Sequence, residues 1–330
     1  MLRLLAVILL PAPMIASAAD VSRAPLPVMQ SNPAMLRYLD PQPSTAAALG
    51  AGKLQWMLNQ HYSSIFLADA LPVAGRYLAD MEIYVIDSGL RYGLTSHADI
   101  EIHLPVLRSL GGGLDSFLHH YHKALGLPNG GRESRPADQF AYFYQGVAGG
   151  WTGRSGWQPG NVRVKAKQQL GDKFPLLSGY AQLALQLEAQ LPTASRSLGW
   201  SHGGADAAAG MVASWQSGSA FSHLEAWWVH PFKRNDSGSP VRDYGRAAWT
   251  GGYAVHLRHV PLNLIVQIQG GSSPYQTGVA ALDASPWLIS FGFRTVDPGG
   301  RQWSLAFIEN ISQQSTQDFG MMLGLSLLQI

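Results

Sequence analysis

Alternation of apolar and polar residues at period two, recurring from about residue 53 onward, most limits what this chain can fold into. Leu183, Leu185, Leu187, Ala189 and Leu191 share one face of an extended segment, and Gln182, Gln186, Glu188 and Gln190 share the other. Val162, Val164 and Ala166 oppose Arg163, Lys165 and Lys167 in the same way. Ala98, Ile100, Ile102 and Leu104 oppose Asp99, Glu101 and His103, and Leu262, Leu264, Val266 and Ile268 oppose Asn263, Gln267 and Gln269. Successive side chains of a strand point to opposite faces, so each segment has one oily and one polar side.

Thirteen strand candidates follow, beginning near Lys53, Asp80, His97, Asp138, Gly160, Ser178, Ala205, Ser219, Tyr244, Pro261, Pro286, Arg301 and Thr316. Most have the ~10-residue length that crosses a bilayer at a tilt. A single-chain bacterial barrel has an even number of strands, so twelve or fourteen are expected, with 138–160 the doubtful region. Connections in the second half alternate between tight (216–219, 258–260) and long (193–204, 232–243), the rhythm of short periplasmic turns and longer external loops.

Composition decides what the apolar faces meet. Charged residues are 13% of the chain, about half the usual ~25%. A secreted β-sandwich or propeller with the same alternation needs more charge on its wetted surface, and no blade-length repeat is present. The expected fold is therefore an all-β transmembrane outer-membrane barrel of 12 or 14 antiparallel strands, apolar side to lipid, polar side to the lumen. Trp56, Tyr92, Tyr180, Trp215, Trp227, Trp228, Tyr244, Trp287 and Trp303 fall near strand ends, where interfacial girdles place Trp and Tyr. The aromatic content of 10% excludes disorder, and a net charge of +2 excludes a nucleic-acid partner. The absence of cysteine removes disulfides, thiolate metal sites and Cys nucleophiles.

The first residues, with Arg3, an apolar run and Ala16-Ser17-Ala18, read as a signal peptide over 1–19. Residues 20–52, rich in Pro and Ala, are expected to be a periplasmic or lumen-associated segment, and 53–330 the barrel. The longest interruption, 108–137, contains Leu114, Phe117, Leu118, Tyr121 and Leu125 at helical spacing, with Asp115 near the start and Gly126 as a stop. This predicts a helix over 113–124 folded into the lumen or its mouth as a plug, with Asp115, Phe117, His119 and His122 on it. The competing placement is an interfacial helix on the outer leaflet.

These segments resemble the family known as domain of unknown function 3187, whose members look like outer-membrane barrels. The resemblance is carried by Leu90-Arg91-Tyr92-Gly93-Leu94 with Leu104-Pro105, and by Gly112, Gly113, Asp115, Phe117 and His122. Gly126-Leu127-Pro128, Arg132, Leu191-Pro192-Thr193, Gly203-Gly204-Ala205-Asp206, Ser272-Ser273-Pro274-Tyr275, Glu309-Asn310-Ile311 and Asp318-Phe319 extend it. It covers nearly everything from Asp80 onward. It departs at Leu328-Gln329-Ile330, where exported barrels usually finish on an aromatic residue. The resemblance implies location and shape, and lends no catalytic residue or substrate.

Gly199-Trp200-Ser201-His202-Gly203 matches the G-x-S-x-G nucleophile elbow, which needs a strand before it and a helix after it. Neither neighbour fits, so an external loop is expected, with Ser201 and His202 as candidates only for a lipid-modifying barrel enzyme. His119, His120 and His122 lack an obvious partner ligand set and read as polar decoration rather than a metal site. The Asp99/Glu101/His103 row and the Arg163/Lys165/Lys167 row, with Gln186, Glu188 and Gln267, are the candidate lumen and binding residues. They set up a transverse field along a pore or neutralise one another in a plugged one. The expected role is passive passage of a small solute across the Gram-negative outer membrane, without a cofactor or metal; a lipid-modifying enzyme and a structural or surface-binding barrel are the alternatives. Expected partners are outer-membrane lipid, lipopolysaccharide and the barrel-assembly machinery.

Overall fold

The computed structural model describes residues 22–71, 75–126, 131–171, 181–258, 260–312 and 315–329. The expected leader over 1–19, Leu127, Pro128, Tyr180 and the strand start near Ser178 lie outside them.

Among the described residues twelve strands close a barrel. They are β1 (Leu54–Leu71), β2 (Gly75–Gly93), β3 (Ala98–Leu110), β7 (Val162–Gln169), β8 (Gln182–Leu191), β9 (Asp206–Ser217) and β10 (Ala220–Pro231), followed by β13 (Tyr244–Leu257), β14 (Val260–Gly271), β15 (Trp287–Val296), β16 (Gln302–Asn310) and β17 (Phe319–Gln329). All neighbours are antiparallel, and β17 returns to β1 in register from Leu54↔Gln329 to Ser64↔Phe319. Closure leaves no edge in the wall, which a lipid solvent requires because it cannot hydrogen-bond a free backbone.

The thirteenth strand candidate, near Asp138, is not a member of the wall. β4 (Ala141–Gly146) pairs with the first residues of β2, beyond the point where β3 ends, and β5 (Gly149–Thr152) folds back on β4. β6 (Gly156–Pro159) pairs with the end of β3 and leads into β7. The alternation in this stretch is real, since Tyr142 and Tyr144 face inward, but it builds a collar above the wall. A two-stranded ribbon, β11 (Asn235–Asp236) with β12 (Ser239–Pro240), and a short helix, α2 (Ala280–Asp283), stand at the same end.

Outward positions carry Ile100, Ile102, Leu104, Leu185, Leu187, Met211, Leu224, Leu264, Phe291 and Phe307, all exposed. An apolar surface of this extent is stable only against lipid. The inward rows are polar: Asp99, His103, Arg163, Lys165, Lys167, Gln186, Glu188 and Gln267 are buried, and Glu101 is half-buried beside them. Two of the expected girdle residues, Trp227 and Tyr244, face inward instead. Gly210 makes room for the first, because a Cβ there would lie 2.3 Å from the Trp227 ring.

Residues 22–52 run inside the barrel as two extended arms. Ser22 and Arg23 lie at the end with the tight turns, where Arg23 Nη1 donates to Gly218 O at 2.8 Å. The chain climbs to the loop end, turns through the 3-10 helix Met35–Arg37, and descends until Gly52 N donates to Gly93 O at 2.8 Å before β1 begins. Leu26 and Val28 of the ascending arm pack on Phe221, Ile265, Leu288, Ala306, Ile308 and Met322.

The helix expected to plug the lumen lies outside it. α1 (Asp115–Leu125), ended by Gly126 in the left-handed conformation, packs against outward-facing residues of the wall. Phe117 and Tyr121 contact the Phe319 ring, Tyr121 Oη donates to Glu309 at 3.1 Å, and the backbone N–H groups of Gly113 and Leu114 donate to Glu82. Glu309 and Phe319 are cross-strand partners, as are Ser64 and both Phe319 and Glu82, so all share the lipid side of β16, β17, β1 and β2. Arg132 clasps the element by pairing with Asp115 and Asp318 and donating to Ser64 Oγ. The apolar stripe is therefore covered by the barrel exterior, and half-exposed Phe117 faces the surroundings.

Candidate lumen and outer mouth

An extended segment without a sheet partner still has a donor and an acceptor on nearly every residue, and inside a barrel these must be met by wall side chains. Pro25, Pro27, Pro33, Pro41 and Pro43 reduce the number of donors to be met. The inward polar rows meet the rest. On the ascending arm, Asn263 Nδ2 donates to Ser22 O at 3.0 Å, and Arg294 donates to Ala24 O at 2.8 Å and Pro25 O at 2.9 Å. Gln267 Oε1 accepts from Leu26 N at 3.0 Å, and Gln269 Nε2 donates to Val28 O at 3.2 Å.

The descending arm is held by Lys165, Lys167, Gln186, Ser214 and Asp99. Lys165 Nζ donates to Gln42 O at 2.7 Å and Lys167 Nζ to Thr45 O at 3.0 Å. Ser44 Oγ donates to Gln186 Oε1 at 2.7 Å, Ala46 N to Ser214 Oγ at 2.8 Å, and Leu49 N to Asp99 Oδ2 at 3.0 Å. A cavity between the arms, bordered by Gln30, Pro41, Glu225 and Arg246, measures about 20 Å³, room for one water molecule.

Charges inside the barrel are paired between strands. Asp99, Glu101 and His103 stand in register with Lys167, Lys165 and Arg163. Arg163 Nη2 lies 3.0 Å from Asp87, Lys165 Nζ 3.3 Å from Glu188, Lys167 Nζ 3.8 Å from Asp99 and Arg91 Nη2 2.6 Å from Asp99. His103 lies between Asp87 and Glu101. Of the two arrangements open to the sequence, opposite rows facing each other across a pore or neutralising each other within a filled one, these contacts form the second.

At the loop end the turn of the inner segment is locked under an aromatic cap. Arg37, fully buried, donates from Nη2 to both carboxylate oxygens of Asp236 at 2.7 and 2.6 Å, and its guanidinium lies 3.7 Å from the centre of the Trp151 ring. Tyr38 donates to Asp236 at 3.1 Å and stacks on His202 with ring centres 4.5 Å apart. Burial pushes the Tyr38 and Tyr275 hydroxyls well above the usual phenol range, so both remain protonated donors. Tyr275 gives its proton to Ala34 O at 3.0 Å and Tyr244 to Leu39 O at 2.6 Å. At the rim, Arg234 beside Asp243 holds that carboxyl below the usual range.

Ser201 and His202 sit in the loop between β8 and β9 with no helix after them, and both are fully buried. Ser201 Oγ accepts from Gly203 N at 3.0 Å, while His202 Nε2 lies 2.8 Å from Asp206, which also accepts from Leu39 N. Gly199 is required for packing rather than for a nucleophile turn, because a Cβ there would lie 2.4 Å from Trp151. The loop is structural. Among the described residues no group of three or more His, Cys, Asp and Glu is arranged to hold a metal ion; His119 lies 3.5 Å from Glu133.

Composition left the inner segment open between a periplasmic and a lumen-associated placement, because an irregular strap has no periodicity. Arg37, Asp236, Arg294, Ser214 and Glu225, which hold it or stand against it, were missed as site residues. The missed signal was a set of polar residues on inward strand positions, namely Ser214, Glu225 and Arg294, facing a Pro-rich stretch with no other partner for its carbonyls.

A closed antiparallel barrel with an apolar exterior and a polar interior filled by its own chain is a Gram-negative outer-membrane protein whose exterior faces lipid. The chain belongs to the family described as Protein of unknown function (DUF3187), whose model matches residues 2–327. Comparison with the curated proteins gives no match. Among solved structures it is similar to an outer-membrane channel from Pseudomonas putida F1, at 11% identity and a TM-score of 0.54, covering 88% of this chain and 100% of that one. It also matches the NanC porin, at 7% identity and a TM-score of 0.43, covering 83% and 98% of the two chains. The translocator domain of the autotransporter NalP from Neisseria meningitidis matches at 8% identity and a TM-score of 0.40, covering 84% and 88%.

Proposed function

We propose that the protein is a passive outer-membrane channel for a small solute, held closed by residues 22–52. The observation that carries this reading is that the strap occupies a polar lumen without joining the wall. Its anchors are side-chain contacts such as Lys165 to Gln42 O and Arg37 to Asp236, so it can move while the twelve-stranded ladder stays intact. The solved barrel from Pseudomonas putida F1 that shares the fold is named as an outer-membrane channel, which supports the same reading here. A ladder closed on all sides supplies the rigid wall and the strap supplies the gate.

A disulfide tests it. Ala46 N and Ser214 Oγ are 2.8 Å apart, so cysteines at both positions bring strap and wall within bridging reach in a chain with no other cysteine. In liposome swelling with a monosaccharide, the reduced Ala46→Cys/Ser214→Cys protein should admit solute at the unmodified rate, and the oxidised protein should admit at least tenfold less. Equal swelling in both states, or none with the unmodified protein, rejects the gate.

A further inference from the structure

Two buried arginines stand on the half of the lumen built from β13 to β17 and β1, Arg246 toward the loop end and Arg294 toward the turns. Arg246 is opposite Gly271 and Arg294 opposite Asn263, positions of β14 that lie roughly 27 Å apart along the strand. Gln269 and Gln267 face inward between them. Among the described residues the inward positions of these six strands hold one carboxylate, Asp69, at the loop-end tip of β1, where it accepts from Ala281 N at 3.2 Å. Glu309 and Asp318 lie on the lipid side beneath α1.

The strap fills this row with acceptors. Asn263, Arg294, Gln267 and Gln269 donate to the carbonyl oxygens of Ser22, Ala24, Pro25, Leu26 and Val28. Arg294 has no carboxylate partner among the described residues: its bonds go to strap oxygens and to Ser304 Oγ at 2.9 Å. Arg246 takes its carboxylate from the strap, donating from Nε to Asp40 at 2.8 Å. When the strap is displaced, Arg294 loses its carbonyls and Arg246 its counter-charge. Across the lumen the carboxylates keep partners on the wall, Asp87 with Arg163, Asp99 with Arg91 and Glu188 with Lys165, while Glu225 still accepts from Gln186. Asp236, which loses Arg37, stands in the ribbon beyond the wall. Opening therefore uncovers a row of amide donors with a guanidinium at each end and no newly freed carboxylate on its strands.

We infer that the open channel selects small anions, carboxylates among them, and that Arg294 is the residue that sets the preference. The carbonyl oxygens of the strap stand where the oxygens of such a solute go, because both present lone pairs to the same donors. A guanidinium at a low-dielectric constriction attracts an anion and repels a cation, and its fork matches a carboxylate. The inference rests on the channel reading, from which its test separates it: conductance tests the channel, and the sign of the reversal potential tests the selectivity.

Openings of the intact chain are recorded in planar bilayers across a tenfold gradient of KCl and then of potassium acetate. The reversal potential should fall on the anion side of zero in both salts, with chloride carried at least threefold more readily than potassium. Arg294→Gln should open more often, since it holds the strap, and its chloride-to-potassium ratio should fall close to one. Arg294→Lys should keep the anion preference, and so should Arg108→Gln, on the lipid side of β3. Reversal on the potassium side in the intact chain overturns the inference without need of any variant. More frequent opening of Arg294→Gln at an unchanged ratio also overturns it, because that is the mark of a residue that only fastens the strap. An intact chain that never conducts overturns the channel, and the inference with it.

Discussion

Arg37 shows how much a single residue contributes when it is buried with its partner. Its guanidinium, its bidentate contact with Asp236 and its stacking on Trp151 are removed from water together, so deleting one partner leaves an unpaired charge in the cap. Arg37→Ala should therefore cost about 3–5 kcal/mol in reversible unfolding in lipid. Arg37→Leu with Asp236→Leu should cost less than either single change, since no charge is stranded. A double variant as unstable as the sum of the singles would show that the pair acts independently.

On the wall, Leu187→Arg places a charge on the lipid side of mid-β8 and should cost roughly 2–4 kcal/mol. Gln186→Ala, one residue away, removes hydrogen bonds to Ser44 and Glu225 and should cost about 1 kcal/mol. Water does not fill the space beside Gln186, where the descending arm packs. An arginine there displaces the strap rather than finding solvent. Equal costs at 186 and 187 in the two variants proposed would contradict this assignment of faces.

Elements differ in how much of their placement is written locally. Strand starts and facings were legible because period two is a property of each strand by itself: observed starts at Leu54, Ala98, Asp206, Ala220, Tyr244, Trp287 and Gln302 lie within a residue of those expected. β4 was legible as a strand and not as a collar, since its membership depends on where β3 stops. For α1, helical spacing specified an apolar stripe and could not say whether lumen or barrel exterior covers it. Phe319, Glu309 and Glu82 decide that, and they are remote in sequence. Replacing 111–137 with a short linker should thus leave single-channel conductance unchanged in a correctly assembled barrel, whereas a rise would put the helix back in the pore.

Facing of the two ends follows from loop length, with the long connections external. Single cysteines at Asn235 and Gln276 should label on intact cells, and one at Ser217 should not. Ser273, in the same external region, is fully buried against Leu282 O and is unsuited to this test. Labelling at Ser217 from outside would invert the barrel.

As a whole, the molecule joins a wall that has no free edge to an inner strap held by side chains. The polar rows are explained by the strap: they carry Gln, Lys, Asp and Arg because an irregular backbone inside a barrel has to be solvated by something other than water. Side-chain contacts exchange with water far more readily than a closed ladder opens, so the strap is the part of the molecule that moves first. The most direct measurement is single-channel conductance in planar bilayers of the intact chain beside a variant lacking 22–49, with heat-modifiable gel mobility showing that both barrels are assembled. The intact chain should be closed for most of the recording, and the shortened one should conduct steadily at a level at least several-fold above it. Equal conductance from two assembled barrels would contradict a lumen closed by its own N-terminal strap.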